Sequence, residues 1–204
     1  MSALVEHRAA GLVFAVTIEA DAFERLAVDR VETRAAGLVI HEGTVAGARV
    51  AWCAGGVGAD AATRAARLLV DGHRPRLLVS AGFAGGLDPA LARGAVVRPT
   101  LAVADGDPRR FDLVRPCASA AAGISRTIVT VPGVVATPAA KRDLAARSGA
   151  HLCDMETHAV AAVATGSGIP CASVRVISDA ADDELPHEVA ALEELCESLQ
   201  RPKR

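Results

Sequence analysis

The stretch from residue 151 to residue 179 constrains the fold most, because it alternates two strand-like runs with one helical segment. Residues 151–154 predict a short strand, and Met155 to about Gly166 predict a helix that opens with an acid, whose charge suits a helix N-terminus. After a glycine-rich break, residues 171–177 are almost uninterrupted in apolar side chains, which is typical of a strand buried on both faces of a parallel sheet. The segment therefore predicts a strand–helix–strand unit.

Strand-like and helix-like runs alternate along most of the chain, which is the signature of an α/β domain. The other predicted strands are 12–17, 38–40, 49–53, 77–80, 96–103 and 128–131, of which 38–40 and 49–53 are expected to form a small antiparallel excursion. The other predicted helices are 18–28, 60–71, 138–147 with Thr137 as N-cap, and 188–199, and the segment 104–125 is the least regular. With no linker or repeat, residues 1–204 predict a single three-layer domain: a twisted, mixed and largely parallel sheet flanked by helices.

Charge and hydropathy exclude two classes of partner. A formal net charge of −2 without any basic run gives no electrostatic reason to expect nucleic acid. The longest apolar run, residues 9–16, is far shorter than the roughly 18 residues that span a bilayer, so we expect no transmembrane segment and a cytoplasmic protein.

The apolar fraction of 51% predicts a subunit interface and a homodimer. The five scattered cysteines lack zinc-binding spacing, and we expect neither metal nor cofactor.

Three carboxylates follow the ends of predicted strands. In a strand–helix–strand unit the start of the helix and the end of the next strand face the same way, so Glu156 and Asp179 are expected at the carboxyl edge, where open α/β sheets bind ligands. Glu19 follows the first strand and is expected at the same edge. Cleavage of an N-glycosidic bond needs an acid for the leaving base and a carboxylate for water or sugar hydroxyls, so the three residues suit that chemistry. Each also has a structural interpretation, since acids cap helices and favour their first turn.

Two motifs near the C-terminal end carry a family resemblance. Met155-Glu156 opens a helix, and Arg175-Val176-Ile177-Ser178-Asp179 ends a strand. Further motifs are the glycine-rich turn 80–87, the run 93–97, the glycine turn 54–58 and the pair Ile18-Glu19. Together, across roughly residues 11–185, they resemble the purine nucleoside phosphorylase and methylthioadenosine-type nucleosidase superfamily. Residues 154–160 look closest to its hopanoid-associated phosphorylase/nucleosidase subgroup. The resemblance implies a nucleoside phosphorylase-like fold.

The resemblance also implies a role for each acid. Asp179 would be the general acid at purine N7, oriented by Ser178. Glu156 would bind the ribose hydroxyls with Met155 packed against the sugar, and Glu19 would activate the attacking water. The remaining substrate-binding positions that it implies are Gly82, Phe83, Val134 and Val135.

The sequence departs from the family at several of these places. Neither position where phosphorylases of this superfamily carry a phosphate-binding arginine is basic, around Thr17 and at Ser80, which resembles the hydrolytic branch. Phe83 stands where a serine is usual, and residues 131–135 lack the aromatic that normally stacks on the base. We expect hydrolysis of a purine ribonucleoside, an adenine one with a 5′ substituent. The alternatives are phosphorolysis, with phosphate as a second substrate, and a nucleoside-binding module with weak catalysis.

Two further features have rival interpretations. The turn 56–61 fits the G-x-G-x-x-A dinucleotide pattern, but the acid that closes such a site is missing from the end of the next strand. We therefore expect these glycines to let backbone N–H groups approach a ligand closely. His158 lies two residues after Glu156, so on a helix it points away from that side chain and is expected to be structural or interfacial and not catalytic.

Overall fold

The computed structural model describes residues 8–115, 125–186 and 188–189. In these ranges the helices are α1 (Thr17–Glu24), α2 (Ala59–His73), α3 (Pro138–Ser148) and α4 (Thr157–Gly166). The strands are β1 (Ala10–Phe14), β2 (Val28–Ala35), β3 (Leu38–Val45), β4 (Ala48–Ala54), β5 (Leu78–Gly86), β6 (Val96–Val97), β7 (Leu101–Ala104), β8 (Asp107–Asp112), β9 (Thr127–Thr130), β10 (Leu152–Asp154) and β11 (Cys171–Asp179). Within the described ranges, no helix is long and apolar enough to cross a membrane.

All the strands belong to one mixed sheet. Its main path runs β2-β3-β4-β1-β5-β10-β9-β7-β8, and β11 pairs with β5 and β6. The pairs β4–β1, β1–β5 and β5–β11 are parallel, whereas β2, β3 and β4 form an antiparallel meander. The long strand β5 is the centre of the sheet, because it pairs with β1, β11 and β10.

Successive side chains along a strand pack into two different cores, one on each face of the sheet, which confirms the three-layer prediction. Val13 of β1 and Cys53 of β4 pack with the buried alanines of α2 and α4. Phe14 and Trp52, their neighbours in sequence, pack on the opposite face with Ala20 of α1. A strand whose successive residues are all buried needs a layer on each face, and the helices supply both layers.

The predicted elements are largely present, with bounds that move by a few residues. Thr137 caps α3 as predicted, since its side chain accepts a hydrogen bond of 3.2 Å from the backbone N–H of Ala140. The predicted strand 96–103 is wrong as one element and divides into β6 and β7. The segment predicted to be irregular contains the strand β8, which forms a hairpin with β7. The predicted helix 188–199 lies outside the described residues after Val189.

The strand β2 occupies a region where the sequence pattern predicts part of a helix and no strand. The predicted helix 18–28 ends at Glu24, and the chain then forms a strand whose residues are exposed from Val28 to Arg34. An edge strand exposed on both faces has no apolar alternation, so its composition gives no strand signal. The Ala36-Gly37 turn sets its hairpin with β3, because both residues have positive φ, +47° and +81°.

Candidate active site

The carboxyl ends of β1, β5 and β11 surround a cavity of about 390 Å³. Four of its lining residues are acids: Glu19, Asp154, Glu156 and Asp179. Most of the others are apolar: Ala15, Val16, Val57, Phe83, Ala84, Val131, Val134, Val135, Cys153, Met155, Leu185 and Val189. Ser178, Gly85 and Gly133 complete the wall. Among the described residues no lysine or arginine lines this cavity, and Phe83 is its one aromatic ring.

Strand pairing explains why the acids converge. Asp179 at the end of β11 pairs with Gly85 of β5, and Cys153 of β10 pairs with the same glycine from the other side. Glu156 and Asp179 therefore line one cavity, but the predicted reason is wrong: β5 separates their strands, and β10 is antiparallel to it. A Cβ at Gly85 would lie only 3.1 Å from Cys153 Sγ and 3.2 Å from Asp179 Oδ2, so glycine permits this approach.

Asp179 is buried and strongly bound by two side chains. Ser178 Oγ donates to Asp179 Oδ1 at 2.5 Å, as the resemblance implied for that serine. Lys141 Nζ lies 2.6 Å from Asp179 Oδ2 in an ion pair of which both members are almost inaccessible. Lys141 gives no site signal in the sequence, because it stands between exposed residues on a helix of mixed composition. The carboxylate at the end of β11 is therefore held in one orientation.

Glu156 stands at the N-cap of α4, buried against the cavity. Its Oε1 accepts a 2.9 Å hydrogen bond from the backbone N–H of Gly58. The glycine turn was expected to bring its N–H groups close to a ligand, but the Gly58 N–H binds the Glu156 side chain. Burial raises the pKa of Glu156 from 4.5 to about 7, and the charge of Asp154 acts in the same direction, whereas Arg175 and the Gly58 N–H oppose them. Both protonation states of Glu156 are thus accessible near neutral pH.

Arg175, the first residue of the Arg-x-x-Ser-Asp motif, belongs to a buried network beneath the cavity. Its Nη2 lies 2.6 Å from Asp154 Oδ2, with both side chains 1% exposed, and donates to Thr157 Oγ1 at 2.8 Å and to Ser80 Oγ. Its Nη1 is 4.0 Å from Glu156 Oε2. Arg175 is thus paired with Asp154, and it is not among the residues that line the cavity.

The Glu19 carboxylate joins the end of β1 to the middle of β5. Oε2 accepts backbone hydrogen bonds from Ala15 at 2.8 Å and Val16 at 3.1 Å, and Oε1 accepts one from Phe83 at 2.8 Å. Because a carboxylate offers about four acceptor positions, one remains on Oε1 for a further donor such as water. Gly82 does not line the cavity and lies instead against this carboxylate.

The other residues considered in the sequence either line the cavity or lie outside it. Met155, Phe83, Val134 and Val135 line the cavity, and its wall at residues 131–135 has no aromatic side chain. His158 lies outside it, with its ring 4.8 Å from that of Phe111 and its Nε2 3.2 Å from the Arg109 carbonyl oxygen. In the described part of the chain, no group of three or more His, Cys, Asp or Glu is arranged to hold a metal ion.

Comparison with known proteins places the chain in a family. The family described as the Phosphorylase superfamily matches residues 10–201, so the chain belongs to that superfamily and the resemblance seen in the sequence is confirmed. A curated relative, a 5′-methylthioadenosine/S-adenosylhomocysteine nucleosidase of Actinobacillus succinogenes, is 27% identical over 199 residues, which cover 85% of this chain and 86% of the relative. This membership supports an enzyme that cleaves N-glycosidic bonds.

Solved structures agree on the fold. The nucleosidase of the same name from Colwellia psychrerythraea, solved with adenine, superposes with a TM-score of 0.79 at 23% identity, covering 95% of this chain and 90% of that one. The futalosine hydrolase of Helicobacter pylori superposes with a TM-score of 0.77 at 20% identity, covering 97% and 93%. The predicted α/β fold of the nucleoside phosphorylase type is therefore confirmed.

Proposed function

We propose that this protein is a nucleosidase that hydrolyses the N-glycosidic bond of an adenine ribonucleoside with a 5′ substituent. The observation that carries the proposal is one cavity lined by Glu19, Glu156 and Asp179, with no cationic side chain on its described wall. The nucleosidase and futalosine hydrolase relatives support a purine nucleoside as the substrate class.

The proposed mechanism assigns one task to each acid. Asp179, oriented by Ser178, acts in its acid form and delivers the carboxyl proton to N7 of the purine, so that the base leaves as a neutral molecule when the C1′–N9 bond breaks. Glu156 accepts hydrogen bonds from the ribose hydroxyls beside the positive charge that develops on the sugar. Glu19 binds the attacking water through the free acceptor position on Oε1 and takes up its proton as the C1′–O bond forms. The proton that Glu19 takes from water replaces the one that Asp179 delivers, so that no net proton is consumed in the turnover.

The charge on the cavity wall favours water over phosphate. A phosphate dianion in this cavity would meet four acids and no described lysine or arginine. Burial of such an anion without a cationic partner costs several kcal/mol, which backbone N–H groups offset only in part. Arg64 and Arg67 are exposed on α2, and Arg175 is paired with Asp154, so none of the three lines the cavity.

A nucleoside-binding module without effective catalysis is the second candidate function. It is favoured by the aliphatic residues at 131–135, since the described wall has no aromatic ring besides Phe83 to hold the base. The two functions differ in whether the base is released. Incubation of the purified protein with adenosine, 5′-methylthioadenosine, S-adenosylhomocysteine and their inosine counterparts, followed by chromatography of the free base, decides between them. Binding by calorimetry without any base release would overturn the nucleosidase.

We also propose that the protein is a homodimer. Large apolar side chains are exposed on α1, on β2 and in the turn between them: Ile18 at 67%, Leu26 at 66%, Val28 at 59% and Val31 at 57%. Apolar surface of this kind on a soluble protein is typical of a subunit interface. Light scattering coupled to size-exclusion chromatography tests this, and a monomeric mass at micromolar concentration would contradict it. The cytoplasmic location remains a prediction from the sequence.

A further inference from the structure

Lys141 is a fully buried cation directly behind the cavity. It lies in the first turns of α3, and its side chain has no accessible surface. All three ammonium donors have acceptors: Asp179 Oδ2 at 2.6 Å, the Ala180 carbonyl oxygen at 2.7 Å and the Asp183 carbonyl oxygen at 2.9 Å. Lysine is almost never fully buried unless it is paired, so the position is specific for a charged partner.

The other groups around Asp179 do not duplicate this contact. Ser178 Oγ binds the second carboxylate oxygen, and the Cys153 thiol faces the pair with its pKa raised to about 12, mainly by burial. Asp183 approaches Lys141 through its backbone carbonyl, while its carboxylate is bound by Arg93 Nη2 at 3.1 Å and by the Ala180 N–H at 2.8 Å. Among the described residues, Lys141 is therefore the cation paired with the Asp179 carboxylate.

The same ammonium group ties Asp179 to the turn that follows it. Ala180 and Asp183 bracket this turn, and the chain then passes to Leu185, which lines the cavity and donates its backbone N–H to the Ala136 carbonyl oxygen at 2.9 Å. Lys141 thus fixes the acid and the wall beside it from one point on α3. A displacement of about 1 Å at such a position costs roughly 10²-fold in rate when proton transfer depends on alignment.

We propose that Lys141 is a positioning residue for protonation of the leaving base: through its contact with Oδ2 it holds the Asp179 carboxyl group in line with purine N7, and it keeps that contact when the carboxyl group is in its acid form. The proposal rests on the proposed function and adds to it a residue that does not itself touch the substrate. A purely structural lysine would stabilise the turn and affect binding and turnover alike. A positioning lysine acts on the chemical step, and only through Asp179.

The test compares Lys141→Met with Arg142→Met, its exposed neighbour on the same helix. With a nucleoside that the wild type cleaves, we expect Lys141→Met to lower kcat by about 10²-fold. Its KM should stay within about threefold of the wild type, and Arg142→Met should leave both constants unchanged. A wild-type kcat in Lys141→Met, or equal losses in kcat and in affinity, would overturn the proposal.

A double-mutant cycle gives a second test, which also applies where Lys141→Met alone does not fold. Asp179→Asn combined with Lys141→Met leaves neither buried charge unpaired. If Lys141 acts through Asp179, the double variant keeps the residual rate of Asp179→Asn within about threefold. A further loss of about tenfold or more would show independent action and overturn the proposal. Absence of base release by the wild type on every nucleoside would instead refute the proposed function, which separates the two failures.

Discussion

Gly82 lies so close to the Glu19 carboxylate that no side chain fits between them. A Cβ at this glycine would stand 2.6 Å from Glu19 Cδ and 2.9 Å from Glu19 Oε2, and its φ of +150° disfavours any other residue. Glu19 is bound to the backbone of the next residue, Phe83, at 2.8 Å. The glycine of the turn therefore determines where the proposed water-activating carboxylate stands.

Gly82→Ala should remove most of the activity by displacing Glu19 from the Phe83 N–H. We expect kcat to fall by about 10²-fold or more, the usual cost of losing a positioned general base. The matched control is Gly94→Ala, which has a φ of +81° but nothing within 4 Å of the added Cβ. It carries the backbone strain without the displacement, so it should keep its activity. Steady-state kinetics of both variants measure the difference, and a fully active Gly82→Ala would contradict the placement of Glu19.

Asp179→Asn should abolish base release and keep nucleoside binding. An amide of the same shape keeps the hydrogen bond to Ser178 but cannot deliver a proton, and general acid catalysis is typically worth ~10²–10⁴-fold. Single-turnover kinetics and calorimetric binding of the same nucleoside measure the two properties separately. Turnover above about a tenth of the wild-type value at saturating substrate would refute Asp179 as the acid.

Strand ends, helix starts and family motifs are local signals. They were sufficient to place the acids at the edge of the sheet, but not to predict the strand pairing that brings Glu156 and Asp179 together. Glu156 and Asp179 are found on one cavity, although their strands are separated by β5, which no local pattern reveals. Pairing across the sheet depends on contacts distant in sequence. The exposed edge strand β2 was missed for a different reason, since it has no apolar alternation.

Lys141 could not be predicted as part of the site. A lysine beside Arg142 and Asp143 on a helix has the pattern of a solvated face, whereas in the structure its ammonium group is buried against Asp179 and the turn after β11. The role of Gly58 was likewise hidden, since its N–H binds Glu156, 98 residues later in the chain. Such partners are set by tertiary structure, which periodicity does not encode.

Glu156→Gln should weaken discrimination between ribose and 2′-deoxyribose nucleosides. A carboxylate that accepts hydrogen bonds from sugar hydroxyls gains roughly 1.5–3 kcal/mol from its charge, and an amide gains less. The ratio of kcat/KM for the two substrates, measured for wild type and variant, gives the effect directly. An unchanged ratio would mean that Glu156 serves the start of α4 and not the sugar.

The free energy of unfolding of the wild type should fall, relative to that of Glu156→Gln, as pH rises from 4.5 to about 7. Burial raises the pKa of Glu156 from 4.5 to about 7, so in this window the folded protein retains a proton that the unfolded chain releases. The contribution is complete below pH 4.5 and is lost as pH rises through about 7. Glutamine does not titrate, so the pH dependence of the difference reports Glu156 together with the neighbouring acids that sense its charge. Urea unfolding of both proteins at pH 5 and pH 8 measures it; a difference that does not change with pH would contradict the raised pKa.

The most direct test of the central claim is to determine whether water or phosphate accepts the sugar. Base release should proceed at full rate in phosphate-free buffer and yield free sugar, because the described cavity wall presents four acids and no cation. The measurement is chromatography of base and sugar products from the same nucleoside, with and without added phosphate. Equal rates and free sugar in both samples are the predicted result. Release that stalls without phosphate and resumes with it, as a pentose 1-phosphate accumulates, would contradict hydrolysis and the role of Glu19.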